Sequence, residues 1–593
     1  MERQNGHVSY VHTDDDLPPV AVIDGSPIRP RHKVIFAIIA LLGAVAWAVI
    51  AFVRGETVNA VWFVVAAVCT YVIGYRFYAR LIENKIVQPR DDQATPAEIF
   101  ENGTDYVPTD RRVLFGHHFA AIAGAGPLVG PVLATQMGYL PSVIWIVAGA
   151  VLGGCVQDYL VLWISTRRRG RSLGQMARQE LGAVGGATAL VGVFIIMVII
   201  IAVLALVVVR ALQQSPWGVF SIAMTIPIAI FMGCYLRFIR PGRISEVSLI
   251  GAALLLLAVA GGDWVAETSW GASWFNLSPV SLSWFVIVYG FVASVLPVWF
   301  LLAPRDYLST FMKVGTIVLL AVGILIAHPT MHAPALSSFA ARGNGPVFAG
   351  SLFPFLFITI ACGALSGFHA LISSGTTPKL LEKESQMRLI GYGGMITESF
   401  VAVMALITAS ILDEHLYFAL NAPAVQTGGT ASTAAHYVNG LGLSGPPVTG
   451  DEIRAAATGV DEQSIVSRTG GAPTLAFGMS QVLHQVFGGP ALKAFWYHFA
   501  IMFEALFILT TVDAGTRVAR FMLSDALGNL GGPLAKLRNP SWRPGVLICS
   551  LAVVAVPPVW PAGALRAKYR CWLRIDAVIS AMTATNDSVS IPP

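Results

Sequence analysis

The sequence predicts an all-α polytopic membrane protein with about thirteen transmembrane helices, some of them broken. Its 593 residues are 55% hydrophobic and only 12% charged, which is about half the charged fraction of a soluble protein. Apolar runs close to the length of one bilayer crossing recur along most of the chain, whereas the short alternating strands of a transmembrane barrel are not evident. This composition indicates that most of the chain lies in lipid.

The apolar runs can be taken in order, and the charges that flank them fit one orientation. Lys and Arg collect in short loops on the cytoplasmic side, and Arg29, Arg31 and Lys33 precede the first run, which predicts a cytoplasmic N-terminus. The strongest basic cluster, Arg167–Arg169 with Arg171, then also falls inside. The predicted spans are 34–53, 58–79, 115–137, 141–165, 187–210, 216–236, 247–265, 283–302, 314–330, 352–377, 389–411, 491–515 and 543–563.

The pattern of polar segments divides the chain further. The polar residues 1–33 lack a cleavable signal pattern and are predicted to form a disordered cytoplasmic leader. Residues 34–411 are the transmembrane core, and residues 491–563 hold the C-terminal transmembrane helices. Between them, residues 412–490 are rich in Gly, Ala, Ser and Thr and contain no continuous apolar span, although a short amphipathic helix fits 475–488. They are predicted to form an external cap or gate, with a disordered loop as the alternative.

One apolar segment, Phe115–Pro131, contains two adjacent histidines and then breaks on Gly and Pro. Proline inside a helix removes a backbone donor, and glycine weakens the helix. Lipid tolerates such a break only where protein or a water-filled cavity satisfies the freed backbone groups. This first broken segment is therefore predicted to line a substrate path, and a kinked packing helix is the alternative. The substrate-binding candidates here are His117, His118, Gly124, Gly126 and Gln136.

A second irregular segment, Gly363–Lys379, is rich in hydroxyl groups and runs opposite to the first in the predicted topology. Transporters often carry interrupted helices in opposed orientation, with the substrate site at the breaks. The alternative is that the hydroxyls bond their own helix or a neighbour. The candidates in this second broken segment are Ser366, His369, Ser373, Thr376 and Thr377.

Carboxyl groups at membrane depth are costly, and they usually face a cavity or a partner. Glu398 and Glu504 lie nearly mid-span and are predicted to carry protons during transport, with Glu398 preferred because its span follows the second broken segment. Asp158 and Asp513 are further proton-coupling candidates. An interfacial ion pair is the alternative for both, because Asp158 lies near the inner end of its span and Asp513 lies four residues before Arg517.

Other classes of function find little support in the sequence. Neither the His-Glu-x-x-His run of a zinc protease nor a nucleotide-binding loop occurs. Adjacent helical residues point about 100° apart, so His117 and His118 cannot easily ligate one metal ion. The six cysteines are scattered without a zinc or disulfide spacing. An ion channel is disfavoured since no ring or filter repeat is visible. We therefore predict no enzyme activity, no cofactor, no metal and no nucleic-acid partner.

Several runs resemble signature segments of the carbon starvation protein A (CstA) family. They are Phe115–Pro141, Gly154–Tyr159, Ala303–Leu308, Gly363–Lys379 and Thr510–Arg517. The resemblance implies a secondary transporter of the bacterial inner membrane, with an architecture like that of the amino acid–polyamine–organocation superfamily. It also implies peptide uptake under carbon starvation. Some relatives are pyruvate–proton symporters, so pyruvate is the alternative substrate. The expected partners are a small-molecule substrate, protons and lipid.

The C-terminal end departs from the pattern of this family. Members of the family normally continue past the last span with further apolar helices, whereas residues 564–593 contain no convincing span. The resemblance therefore predicts an atypical tail, with truncation or a shifted reading frame near 555–565.

Overall fold

The computed structural model describes residues 2–4, 7–9, 29–53, 58–213 and 215–555. The atypical tail predicted at 564–593 and most of the predicted leader, 1–33, lie outside the described residues. Within them, two three-residue strands, Glu2–Gln4 and His7–Ser9, pair antiparallel, with Arg3 opposite Val8. All other regular structure in the described part is helical.

The helices of the N-terminal half include several with local π-helical turns, such as Gly74–Tyr78 and Ala150–Gly154. In chain order they are α1 (Pro30–Phe52), α2 (Val61–Ile73), α3 (Ala79–Ile82), α4 (Pro96–Ile99), α5 (Arg111–Ile122), α6 (Gly126–Ala134), α7 (Tyr139–Gly149), α8 (Cys155–Arg167), α9 (Leu173–Leu212), α10 (Pro216–Cys234), α11 (Ile244–Glu267), α12 (Ser269–Phe275), α13 (Pro279–Val295) and α14 (Leu302–Ala327).

The C-terminal half begins with short helices and ends with long ones. They are α15 (Phe339–Arg342), α16 (Phe357–Thr359), α17 (Ala361–Ala364), α18 (Gly367–Gly375), α19 (Gly393–Ser410), α20 (Glu414–Asn421), α21 (Ala424–Thr427), α22 (Ala431–Asn439), α23 (Gly450–Thr458), α24 (Ala472–Val486), α25 (Lys493–Gly528) and α26 (Arg543–Ala555).

The all-α polytopic class is confirmed, but the described residues give a smaller number of spans than predicted. Nine continuous helical stretches are long and apolar enough to cross a membrane, and two bent pairs raise the number to 11. The bent pairs match the predicted spans 115–137 and 283–302. The predicted span 352–377 is divided into short helices, and only the 13-residue helix α26 of the predicted span 543–563 is described. These two segments account for the difference.

Burial separates the inner helices from the outer ones. In the most apolar stretches of α19 and α25, 78% of the residues are buried, against 17% in α1 and 22% in α9. Exposed apolar side chains such as Leu41 and Val203 cover the outer helices. Large apolar side chains exposed over whole helices suit contact with lipid. The inner helices α19 and α25 therefore form the centre against which the broken segments pack.

The two broken segments lie side by side in opposite directions. Helix α5 ends at Ile122 and α6 begins at Gly126, with a bend of 43° between them. In the second segment α17 ends at Ala364, and Ser366 is extended before α18 begins. Along the contacts between the segments, the residue number rises in the first segment as it falls in the second: His118 contacts Thr377, Gly126 lies against Cys362, and Gly130 lies against Thr359. The two breaks therefore lie next to each other, at the same position along the packed segments.

Residues 412–490 form an ordered set of short helices rather than the disordered loop given as the alternative. The Tyr417 hydroxyl donates to the carbonyl oxygens of Val132 and Leu133, at the end of α6. Helix α24 agrees with the short helix predicted at 475–488, and it packs tightly on α19, since a Cβ at Gly478 would lie 2.1 Å from the Thr408 carbonyl oxygen. The cap thus touches the first broken segment directly. Its external location stays a prediction.

Candidate functional site

The two histidines of the first broken segment contact two successive threonines of the second. His117 Nε2 lies 3.2 Å from Thr376 Oγ1, and His118 Nδ1 lies 2.9 Å from Thr377 Oγ1. The other nitrogen of His117, Nδ1, lies 2.6 Å from Oδ2 of Asp306 on α14. All five side chains are buried. Adjacent helical positions point in different directions, so the pair binds two different hydroxyls instead of one shared ligand.

His369, on the first turn of α18, lies between two carboxyl groups. Its Nδ1 is 2.9 Å from Oδ2 of Asp158 on α8, and its Nε2 is 2.8 Å from Oε2 of Glu398 on α19. All three side chains are fully buried. Charged groups inside a protein are retained where a partner compensates the loss of water. This Asp158–His369–Glu398 chain joins three helices at the second break, and the proton-coupling role of Asp158 stays a prediction.

Cys362 completes the surroundings of Glu398. Its thiol lies 3.4 Å from Glu398 Oε1 and 3.8 Å from His369 Nε2. Thiolate, imidazole and carboxylate are all ligands of zinc, and these three atoms lie within 4.8 Å of one another, so the group could hold a metal ion. Without an ion, the thiol donates to Glu398 Oε1 and the imidazole lies at ion-pair distance from Oε2, although Oε2 has no hydrogen-bond partner among the described residues. The absence of a metal stays a prediction.

Asp513 forms an ion pair, but with Arg305 and not with the nearby Arg517, and its role in proton coupling stays a prediction. The Tyr289 hydroxyl donates to Asp513 Oδ2 at 2.7 Å, and the guanidinium of Arg305 lies over the Tyr289 ring. Arg517 instead pairs with Asp105 at 2.6 Å. Arg305 and Asp306 are neighbours at the start of α14, so this one helix end binds both α25 and the His117 side chain.

We expect Arg305→Leu to lower the free energy of unfolding by about 3–5 kcal/mol, because it leaves the fully buried Asp513 carboxylate without its cation. The double variant Arg305→Leu/Asp513→Leu should recover most of this loss, since neither charge then remains. Unfolding of the purified protein in detergent measures both effects.

The exposed pair Arg454–Asp451 offers a matched control, because its side chains are 57% and 87% exposed. Arg454→Ala should cost less than about 1 kcal/mol. A double variant no more stable than Arg305→Leu alone would contradict this account of the buried pair.

The predicted glycines are packing positions in the structure. A Cβ at Gly124 would lie 2.9 Å from Thr511 Oγ1, and one at Gly126 would lie 2.3 Å from the Cβ of Cys362. Such approaches leave no room for a side chain. Both glycines therefore set the distance between the first broken segment and its neighbours. Their contact with substrate stays a prediction.

The remaining predicted residues form two groups: those whose polar atoms already have hydrogen-bond partners and those with an atom that has none. The Gln136 amide donates to the Phe348 carbonyl and accepts from the Val347 amide, so it holds an adjoining loop. Ser366 lies at the break itself, where its carbonyl accepts from Gln157. By contrast, five of the predicted residues each have one buried atom with no hydrogen-bond partner among the described residues: His118 Nε2, Ser373 Oγ, Glu398 Oε2, Glu504 Oε1 and Asp513 Oδ1. Binding of substrate or protons by these residues is still a prediction.

Sequence reasoning missed Arg305, Asp306, Cys362 and Lys313. The predicted spans 283–302 and 314–330 exclude all three charged residues, whereas α14 runs continuously through them from Leu302 to Ala327. Each is buried among partners that come from distant parts of the chain. The signal that could have found Arg305 and Asp306 is the Ala303–Leu308 run, which the sequence identifies only as a family signature, whereas Lys313 and Cys362 lie outside that run.

Comparisons with known proteins show the family of the chain. The family described as "Carbon starvation protein CstA" matches residues 59–565. The chain is 76% identical over 555 residues to "Peptide transporter CstA" of Mycobacterium tuberculosis (strain ATCC 25618 / H37Rv), covering 94% of this chain and 73% of the relative. It is 57% identical over 526 residues to "Peptide transporter CstA" of Escherichia coli (strain K12), with coverages of 88% and 74%.

A relative named for a different substrate is also similar. "Pyruvate/proton symporter BtsT" of Escherichia coli (strain K12) is 52% identical over 513 residues, covering 83% of this chain and 71% of the relative. The relatives compared here bear the names of transporters and a symporter, not of enzymes. Because the family model and these relatives match most of its length, the chain belongs to the carbon starvation protein CstA family.

Proposed function

We propose that this protein is a secondary transporter of the bacterial inner membrane that takes up peptides under carbon starvation, driven by protons. The observation that carries the proposal is the pair of opposed broken segments with an Asp158–His369–Glu398 chain buried at one break. Interrupted helices of this kind form substrate sites in many transporters. The relatives from Mycobacterium tuberculosis and Escherichia coli that are named peptide transporters support peptides as the substrate class.

The breaks offer a means of holding a carboxylate. Helices α6 and α18 both begin at a break, at Gly126 and Gly367. The N-terminus of a helix carries a partial positive charge and free amide groups, which favour anions. The C-terminal carboxylate of a peptide would therefore suit a site that opens between the two helix starts when they separate. Because the side chains around it are buried, entry requires one broken segment to move against the other.

The Asp158–His369–Glu398 chain offers a means of coupling to protons. One imidazole between two carboxyl groups can gain or lose a proton, which changes the net charge of a site that excludes water. Since α8, α18 and α19 each supply one member, a change of charge alters the attraction among three helices at once. In the proposed cycle, proton binding and substrate binding at the breaks favour the same closed arrangement, and release of both follows the opening to the cytoplasm.

Pyruvate is the second candidate substrate, favoured by the 52% identity to a relative named as a pyruvate/proton symporter. It also carries a carboxylate, so the helix starts suit it equally. Counterflow in proteoliposomes separates the two. Vesicles loaded with an unlabelled dipeptide should take up labelled dipeptide, and excess pyruvate should not compete. Vesicles loaded with pyruvate that accumulate labelled pyruvate, with no effect of peptides, would favour the alternative.

The proposed orientation has a cytoplasmic N-terminus and an external cap of residues 412–490. We expect Gly440→Cys, at an exposed cap position, to react with an impermeant thiol reagent in intact cells, since the basic loops set the orientation. Pro241→Cys, exposed in a predicted inner loop, is the matched control and should react only after permeabilisation. Both variants need a background without the native cysteines. The reverse pattern would overturn the proposed topology.

A further inference from the structure

Lys313, on α14, is fully buried, and no carboxylate lies within salt-bridge distance of its ammonium among the described residues. Four oxygens surround the ammonium: the carbonyls of Ala120, Ala123 and Phe507 at 2.9–3.0 Å, and the Thr510 hydroxyl at 2.8 Å. The ring of Phe507 also faces it, with its centroid 4.1 Å from Nζ. An ammonium has three protons for these four oxygens. The shell therefore resembles the cage around a cation more than a set of directed hydrogen bonds.

The sequence explains why the Ala123 carbonyl lacks its helical donor. In a continuous helix the Ala123 carbonyl would accept from the amide of residue 127, but Pro127 has no N–H to donate. The break after Ile122 also leaves a helix C-terminus, which carries partial negative charge. Thr510 donates to the Ala120 carbonyl as well, at 3.1 Å, so α25 helps close the cage. The end of α5 is thus a preformed site for one positive charge.

We propose that the first break is a binding site for a monovalent cation, and that Lys313 fills it with a tethered ammonium so that the protein requires no free ion there. The nearest charged groups on α14 are Asp306 and Arg305, and both are engaged elsewhere, with His117 and Asp513. Lys313 is thereby a positioning residue that holds the end of α5 against α14 and α25. Its role in transport rests on the proposed function, whereas cation binding does not.

The site is tested by a variant that lacks the Lys313 ammonium and leaves room for a free cation in its place. Lys313→Ala opens a cavity at the cage, and Lys313→Met fills the same space with an apolar side chain. Each variant is purified and heated in potassium chloride, ammonium chloride or choline chloride at equal ionic strength. Potassium and ammonium should raise the unfolding temperature of Lys313→Ala by several degrees relative to choline, which is too large to enter, because a ligand of the folded state stabilises it.

Wild type, Lys313→Met and the control Lys493→Ala should show no such difference between salts. Lys493 is a matched lysine because its ammonium also lies over an aromatic ring, that of Phe477. In vesicles, transport by Lys313→Ala should be nearly absent in choline and partly restored by potassium, while Lys313→Met stays inactive in both. Recovery of folded Lys313→Ala in potassium but not in choline would support the site equally.

Three results would overturn the inference. They are wild-type stability and transport in Lys313→Met, the same unfolding temperature of Lys313→Ala in all three salts, and failure of Lys313→Ala to fold in any of them. The cation site and the proposed function can fail separately. If potassium stabilises Lys313→Ala but the wild type transports neither peptide nor pyruvate, the cation site is supported and only the proposed function is rejected.

Discussion

Glu398→Gln is expected to abolish proton-driven accumulation of substrate while exchange of bound substrate continues. The amide fills the same space beside His369 and Cys362 but cannot carry the proton. A gradient of one pH unit is worth about 1.4 kcal/mol per proton, so one proton per substrate supports about tenfold accumulation. In proteoliposomes, the variant should lose this accumulation completely and reach equal concentrations inside and outside.

Glu504→Gln is the matched control for this experiment. Glu504 is also buried in a long inner helix, but it forms no salt bridge within the described part of the chain and lies outside the Asp158–His369–Glu398 chain. It should keep accumulation if the coupling proton belongs to that chain. Undiminished uphill uptake by a folded Glu398→Gln variant would remove Glu398 from the mechanism and direct attention to Glu504 or to the His117–His118 pair.

Gly126→Ala is expected to cost about 1–3 kcal/mol of stability and most of the transport activity, as overpacking does in close-packed interiors. The added methyl group would lie 2.3 Å from the Cβ and 2.5 Å from the sulfur of Cys362, so the two broken segments must separate. The exchanged pair Gly126→Ala/Cys362→Gly keeps one side chain at this contact and should recover most of the stability. Thermal unfolding and counterflow measure the two effects.

Gly192→Ala provides the control for the loss of a glycine as such. It lies within α9, and a Cβ there would meet nothing within 4 Å, so the substitution should be neutral or slightly stabilising. Two results would contradict the need for close contact between the broken segments. One is a Gly126→Ala variant as stable and active as Gly192→Ala, and the other is an exchanged pair less stable than Gly126→Ala alone.

Much of the fold follows from local sequence. A chain segment that crosses lipid must satisfy its own backbone groups, so the length of the apolar runs predicts several membrane-spanning helices. Pro127 and Pro131, with the surrounding glycines, predict the first break. The second break was marked by glycines and hydroxyls between Gly363 and Thr377. These features depend on the backbone of a single segment, and for that reason they can be recognised without knowledge of the neighbours.

The partners of the buried charges could not be predicted in the same way. Asp513 lies four residues before Arg517, which is the spacing of a helical ion pair, yet it bonds Arg305, 208 positions away. Lys313 and Arg305 interrupted the apolar pattern and so fell outside the predicted spans, although both are buried inside α14. The hydropathy pattern ended two predicted spans beside these charges, whereas the charges are bonded by helices that only the folded chain brings together.

The most direct test of proton-coupled transport through the broken segments is proton movement driven by substrate alone. Proteoliposomes containing a pH-sensitive dye inside, with no imposed gradient, receive dipeptide or pyruvate on the outside. The account predicts that the transported substrate acidifies the vesicle interior with wild type, and that Glu398→Gln admits substrate without acidification. Uptake by wild type with no change of internal pH would contradict proton coupling, and equal acidification by both proteins would contradict the role of the Asp158–His369–Glu398 chain.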